Sequence, residues 1–215
     1  MKHNIFWEKY IDEIRKNFKF YWKKNILTGD LNEEKFKELF ISPRDVFIDF
    51  CKNNLLNYGS FAGIIMEWTF TQFLIAGLDI LKKSDLAYVE NNFQIPYKWK
   101  TSNVKKLNLD IVIKSKKTSK LFYAYEIKSN FEDGFDKFLA EEKIIYHHRS
   151  KVFPQFKYYY ISLNKIPKIT LETYKKKIDL LVKRNELYIV NSPFTKDVSI
   201  IAFLENIVND IKCIE

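Results

Sequence analysis

Leu107-Asn108-Leu109-Asp110-Ile111-Val112-Ile113, a polar stretch from Lys114 to Lys120, and Leu121-Phe122-Tyr123-Ala124-Tyr125-Glu126-Ile127-Lys128-Ser129 decide how this chain folds. Both outer segments are rich in β-branched or aromatic residues, as strands are, and the lysine-rich stretch between them turns the chain. The pair reads as a hairpin. Strand side chains alternate between faces, so Glu126 and Lys128 point the same way. Folding about the centre of the turn sets Asp110 opposite or near Glu126. The three then share one face, and Leu109, Ile111, Tyr125 and Ile127 are expected on the other, anchoring the sheet to a helix layer.

Working outward, residues 4–25 carry apolar side chains at spacings of three and four, which predicts an amphipathic helix. Asn32-Glu33-Glu34 opens a short helix through Phe40, Ser42-Pro43 interrupts it, and 45–53 forms another. Asn57-Tyr58-Gly59-Ser60 is a turn, with Ser60 as cap for a helix over 61–82. After the hairpin come a helix over 135–148, a strand over 156–163, a helix over 171–184, a strand over 187–190 and a helix over 198–211. This order predicts an α/β fold, a small mixed sheet flanked by helices, in one domain spanning 1–215. Residues 1–56 form a helical N-terminal subregion with scope for dimer or DNA contacts. The apolar face from Trp7 to Trp22 suits a dimer surface or packing on the chain's own sheet.

Thirty-six Lys and Arg residues against 27 Asp and Glu give a formal charge of +9, which favours a polyanionic partner or reflects a lysine-rich proteome. From Lys98 to Lys128 there are nine lysines and two acids, Asp110 and Glu126, a pattern that predicts a basic rim around an acidic centre. Cys51 and Cys213 lack a CxxC spacing, and His3, His147 and His148 lack the spacing of a zinc site. No long uncharged segment is fit to span a bilayer, and no apolar run of signal-peptide type opens the chain, so no membrane partner and a cytoplasmic location are expected.

Two carboxylates at short range repel unless a cation compensates them. Mg²⁺ prefers carboxylate and water oxygens together with substrate phosphate. Asp110 and Glu126 are therefore candidate metal ligands, and the Ile127 carbonyl is a further oxygen donor. Lys128 would sit beside a bound phosphate, where an orienting and electrostatic role suits it better than that of a base. Glu67 is the only acid between Ser60 and Leu78. A lone carboxylate on such an apolar helix is costly unless paired or ligated to metal. Gly63, one turn earlier, would let that helix approach the sheet closely. Ser129, Asn130, Lys105, Lys106 and Asn108 are candidate DNA contacts.

Leu109-Asp110-Ile111, the turn, and Tyr125-Glu126-Ile127-Lys128 together resemble the PD-(D/E)xK nuclease superfamily, type II restriction endonucleases above all. No proline stands immediately before Asp110. The resemblance covers residues 107–129 directly and implies a restriction-endonuclease-like core. It implies roles in metal-dependent cleavage for Asp110, Glu126 and Lys128, with Glu67 as the helix glutamate that reaches the metal. The activity so implied is Mg²⁺-dependent, site-specific hydrolysis of double-stranded DNA to 5′-phosphate and 3′-hydroxyl ends, with Mn²⁺ as a substitute ion. A homodimer and a cognate DNA methyltransferase are the implied partners. Two alternatives stay open: a repair, junction or mobile-element nuclease of the same superfamily, and a non-catalytic DNA-binding defence protein.

Overall fold

The structure, a computed structural model, describes residues 2–58, 61–98, 104–118, 120–132, 134–152, 156–164, 166–189 and 199–215. Ser60, the expected helix cap, and the side chains of Lys105, His147 and His148 lie outside the described residues. The helices are α1 (Lys2–Tyr21), α2 (Glu33–Asn53), α3 (Phe61–Ile80), α4 (Phe135–Val152), α5 (Lys168–Lys183) and α6 (Ile200–Lys212). The strands are β1 (Ala87–Lys98), β2 (Val104–Ser115), β3 (Leu121–Lys128), β4 (Lys157–Ser162) and β5 (Leu187–Ile189).

The fold is mixed α/β, as expected. One sheet runs in the order β1-β2-β3-β4-β5. The β1–β2 and β2–β3 pairs are antiparallel, and β3–β4 and β4–β5 are parallel. Parallel strands need crossovers, and α4 and α5 supply them. Both pack on one face, where Phe135, Phe138, Leu139, Ile178 and Leu181 bury against Val112, Ala124, Tyr158 and Tyr160. The other face is covered by α1, the π-helical turn after it (Trp22–Ile26), α2, α3 and α6 through Phe18, Trp22, Phe36, Phe73 and Phe203, set against Ile111, Tyr125 and Tyr159. A sheet covered on both faces explains why β3 is apolar nearly throughout instead of alternating.

Three local expectations change. First, α2 runs unbroken through Pro43. Pro43 removes one backbone hydrogen bond, but buried Phe36, Phe40, Phe47 and Cys51 on both sides of it anchor the helix across the gap. Second, β1 has no counterpart in the sequence reading. It is an edge strand, part exposed, with Pro96 and Asn91-Asn92 diluting its apolar signal. Third, the glycine that allows close packing is Gly77, where a Cβ would collide with the Trp22 ring; Gly63 is exposed and faces open space. That contact helps explain the fate of the α1 face. Ile14, Phe18, Tyr21 and Trp22 are buried in the chain's own core, and Trp22 Nε1 donates to the Phe73 carbonyl at 2.9 Å.

Candidate active site

The hairpin register places the site. Ile111 pairs with Tyr125, Val112 with Ala124 and Ile113 with Tyr123. Continuing that count, Asp110 and Glu126 are the next opposed positions, and the pairing stops just before them. On the other side of β2, Asn91 pairs with Ile111 and Phe93 with Leu109, and the pair between them, Asn92 with Asp110, is missing from the ladder. Asn92 has φ of 54°. A left-handed residue in a strand kinks it. At the same level β2 changes which way it faces: Leu109 joins Val112 in the core beneath α4, whereas Ile111 belongs to the opposite core. Leu109 therefore does not share a face with Ile111, Tyr125 and Ile127 as simple alternation predicts.

Four side chains singled out in the sequence meet where β2 parts from β3. Lys128 Nζ lies 2.8 Å from Asp110 Oδ2, 2.9 Å from Glu126 Oε1 and 3.4 Å from Glu67 Oε1. Glu67 comes from α3 on one side of the sheet. From α4 on the other side come two groups the sequence reading did not name. Lys137 Nζ is 3.1 Å from Asp110 Oδ1 and 3.7 Å from Glu126 Oε1. It is also 3.8 Å from Glu141 Oε1. The Tyr158 hydroxyl, on β4, donates to Glu141 Oε2 at 2.8 Å and stands 3.4 Å from Glu126 Oε2. The signal that could have found Lys137 and Glu141 was their i, i+4 spacing on the helix that follows the Glu126 strand.

The electrostatics follow from burial. Glu126 is fully buried and Asp110 is 7% exposed. Burial, a hydrogen bond shared with Asp110 and the Asp110 charge push the Glu126 carboxyl up to about 8, against the opposing pull of Lys128 and Lys137. Burial also opposes ionisation of Asp110, but the hydrogen bond from Glu126 and the two lysines outweigh it and hold that carboxyl below its ordinary value. Burial works against the Lys128 charge too, yet Glu126 and Asp110 overcome it and keep the ammonium protonated. Burial and the Asp110 charge raise Glu67, with Lys128 opposing.

The backbone fits this cluster. The Lys128 carbonyl accepts from Leu163 N at 3.0 Å on the β4 side. Successive strand carbonyls point to opposite edges, so the Ile127 carbonyl faces β2, beyond the last hairpin pair. Gly134, at φ of 153°, closes the turn into α4, and a Cβ there would come within 3.1 Å of Lys128 Cε.

The donor set can be weighed against a cation. Among the described residues, no group of three or more His, Cys, Asp or Glu side chains is arranged to hold a metal ion by itself. Mg²⁺ does not need such a cage; one or two carboxylates with water and phosphate serve it. Glu126 Oε1 is buried, and although Lys128 Nζ is close, it makes no directed hydrogen bond. A buried carboxylate oxygen beside a second carboxylate, with the Ile127 carbonyl turned toward the same edge, fits Mg²⁺. The Lys128 ammonium now provides the neutralising charge at that point.

The other candidates are dispersed. Ser129 Oγ donates to Met66 Sδ at 2.8 Å, and Asn130 Oδ1 accepts from Asn164 Nδ2 at 3.0 Å. Lys106 and Asn108 are exposed on β2. Of the lysines expected to rim the acids, Lys128 stands against them, and the side chains of Lys98, Lys100 and Lys105 lie outside the described residues. Lys116, Lys117 and Lys120 lie at the turn end of the hairpin, roughly 20 Å from Asp110 at about 3.4 Å per strand residue. Lys114 is buried in an ion pair with Glu90 at 3.0 Å. Among the described residues, no helix is long and apolar enough to cross a membrane.

No family model matches this chain, and no curated protein does. Among solved structures, the crystal structure of protein VC1899 from Vibrio cholerae is similar at a TM-score of 0.41 and 9% identity. The match covers 94% of this chain and 55% of that one, so the chain spans about half that protein's length. A likeness this distant carries no argument about function.

Proposed function

We propose that this chain is a Mg²⁺-dependent type II site-specific deoxyribonuclease, hydrolysing double-stranded DNA to 5′-phosphate and 3′-hydroxyl ends. The reading rests on one observation: Glu67, Asp110, Glu126 and Lys128 meet where β2 parts from β3. Asp110, Glu126 and the Ile127 carbonyl would hold the cation with Glu67 at its margin, and bound Mg²⁺ (or Mn²⁺) would supply Lewis-acid stabilisation at the phosphate. Lys128, protonated among the carboxylates, orients the attacking water and offsets charge growing on the phosphoryl oxygens. It is not the group that takes the water's proton. The water oxygen bonds to phosphorus as the bond from phosphorus to the 3′ oxygen breaks; one of the water's protons is lost to solvent, and the departing 3′ oxygen takes one from solvent. Lys137 adds a second positive charge beside Asp110, while Glu141 and Tyr158 fix the buried side of the cluster. A palindromic target would call for a homodimer with one site per strand. A cognate DNA methyltransferase and a cytoplasmic location belong to the same proposal.

The test is incubation of purified protein with varied plasmid DNA and Mg²⁺. Discrete fragments are expected, lost with EDTA and with Asp110→Ala. Random nicking would move the assignment to a repair, junction or mobile-element nuclease. Salt-sensitive binding without cleavage under any metal condition would leave a non-catalytic DNA-binding protein.

A further inference from the structure

The β1–β2 ladder is far longer than the β2–β3 ladder. It runs from Ala87 opposite Ser115 to Lys98 opposite Val104, whereas β3 pairs with β2 only over 111–114. Beyond Asp110 the two outer strands therefore continue as a two-stranded ribbon leading away from the site. Its inner side is apolar: Leu107 and Leu109 are buried in the core beneath α4, with Phe93 and Ile95 packed against it. Its outer side is polar and exposed, and carries Asn92, Gln94, Lys106 and Asn108.

Gln94 and Asn108 are direct partners in the register, so their side chains stand next to each other on that outer side. Among the described residues neither side chain has a hydrogen-bond partner, and both are exposed. A carboxamide offers a donor and an acceptor at once, which matches the N6 and N7 edge of adenine. A two-stranded ribbon is also one of the two elements that fit the major groove. The spacing suits a base reader tied to the cut. Asn108 is two residues from Asp110, about 7 Å along the strand, which is about two steps of duplex at roughly 3.4 Å each. Lys106, two residues further on the same side, carries charge for a phosphate or a guanine edge.

We infer that the β1–β2 ribbon is the base-reading element of this protein, and that Gln94 and Asn108 recognise A·T pairs about two steps from the scissile phosphate. The inference rests on the nuclease reading for its geometry, but it concerns sequence discrimination and is measured apart from cleavage.

The experiment is selection from a randomised duplex library, by binding in Ca²⁺ and by cleavage in Mg²⁺. Wild type is compared with Gln94→Ala, Asn108→Ala and the double variant, each with its melting temperature checked against wild type. The expected result is a wild-type preference that includes A·T pairs, with discrimination at one base pair falling by about 5- to 150-fold in each single variant. Cutting then spreads to sites differing at that pair. A wild-type preference shared unchanged by the double variant overturns the inference, as does a wild type without any preference. A preference that the variants lose, in a protein that cuts no DNA, upholds the ribbon and defeats the nuclease reading.

Discussion

Lys128 is the residue on which the candidate site turns, because one ammonium faces three carboxyl groups within 3.4 Å. Removing one partner of a buried ionic cluster leaves charge uncompensated, at a cost of about 3–5 kcal/mol. Lys128→Ala should therefore destabilise the metal-free protein by up to that amount in urea unfolding, and Ca²⁺ should restore part of the loss. Its DNA affinity should stay near wild type while cleavage collapses. Equal loss of both would make Lys128 a binding or structural residue. Glu126 gives the pH dependence. An acid raised from 4.5 to about 8 holds its proton longer in the folded state than in the unfolded one. Its contribution to stability thus falls as pH rises between those values. Asp110 acts in the opposite sense, since its lowered carboxyl stabilises above its ordinary value and loses that contribution on acidification. The metal-free protein should melt at a lower temperature near pH 8 than near pH 5, and Glu126→Gln should flatten that slope. A slope unchanged by the substitution would show that Glu126 ionises elsewhere in the range.

At the scale of elements, the turn between β3 and α4 decides whether the two lysines can reach the same acids. Gly134 holds a positive φ and leaves room for the Lys128 stem. Gly134→Ala adds strain of about 1–3 kcal/mol and pushes on Lys128 Cε. We expect lower thermal stability together with slower cleavage, and DNA affinity little changed. Full activity in the alanine variant would show that the turn can move without disturbing the cluster. This element also marks the limit of reading from sequence. A helix over 135–148 was predictable from its pattern. That its Lys137 returns to Asp110 was not, because the return depends on α4 packing across β4 through Phe138 and Tyr158.

For the whole molecule, the relevant quantities are net charge and the two-sided sheet. A chain at +9 should bind duplex DNA with an affinity that falls linearly on a log–log plot against salt. Titration across a salt series measures the number of phosphates contacted, and a flat response would remove the electrostatic basis of DNA binding. Among the described residues, Lys128 and Lys137 stand against the acids, while Lys116, Lys117 and Lys120 lie at the turn end of the hairpin. The C-terminal part of the expected dimer face, Ile14, Phe18, Tyr21 and Trp22, is buried in the protein's own core, and the side chain of Trp7 lies outside the described residues.

Local chemistry was enough to read the hairpin, its register near Asp110 and Glu126, and the order of most helices and strands. These depend on side-chain period and turn composition within a few residues, and such signals survive without knowledge of distant contacts. The edge strand β1, the continuity of α2 through Pro43 and the face of Leu109 were settled by packing. Glu67, Lys137, Glu141 and Tyr158 share a site with the hairpin only because three layers stack at the place where two strands part. The i, i+4 spacing marks Lys137 and Glu141 as neighbours of each other, and the resemblance pointed to Glu67, but their distances to the hairpin acids are a property of that stacking.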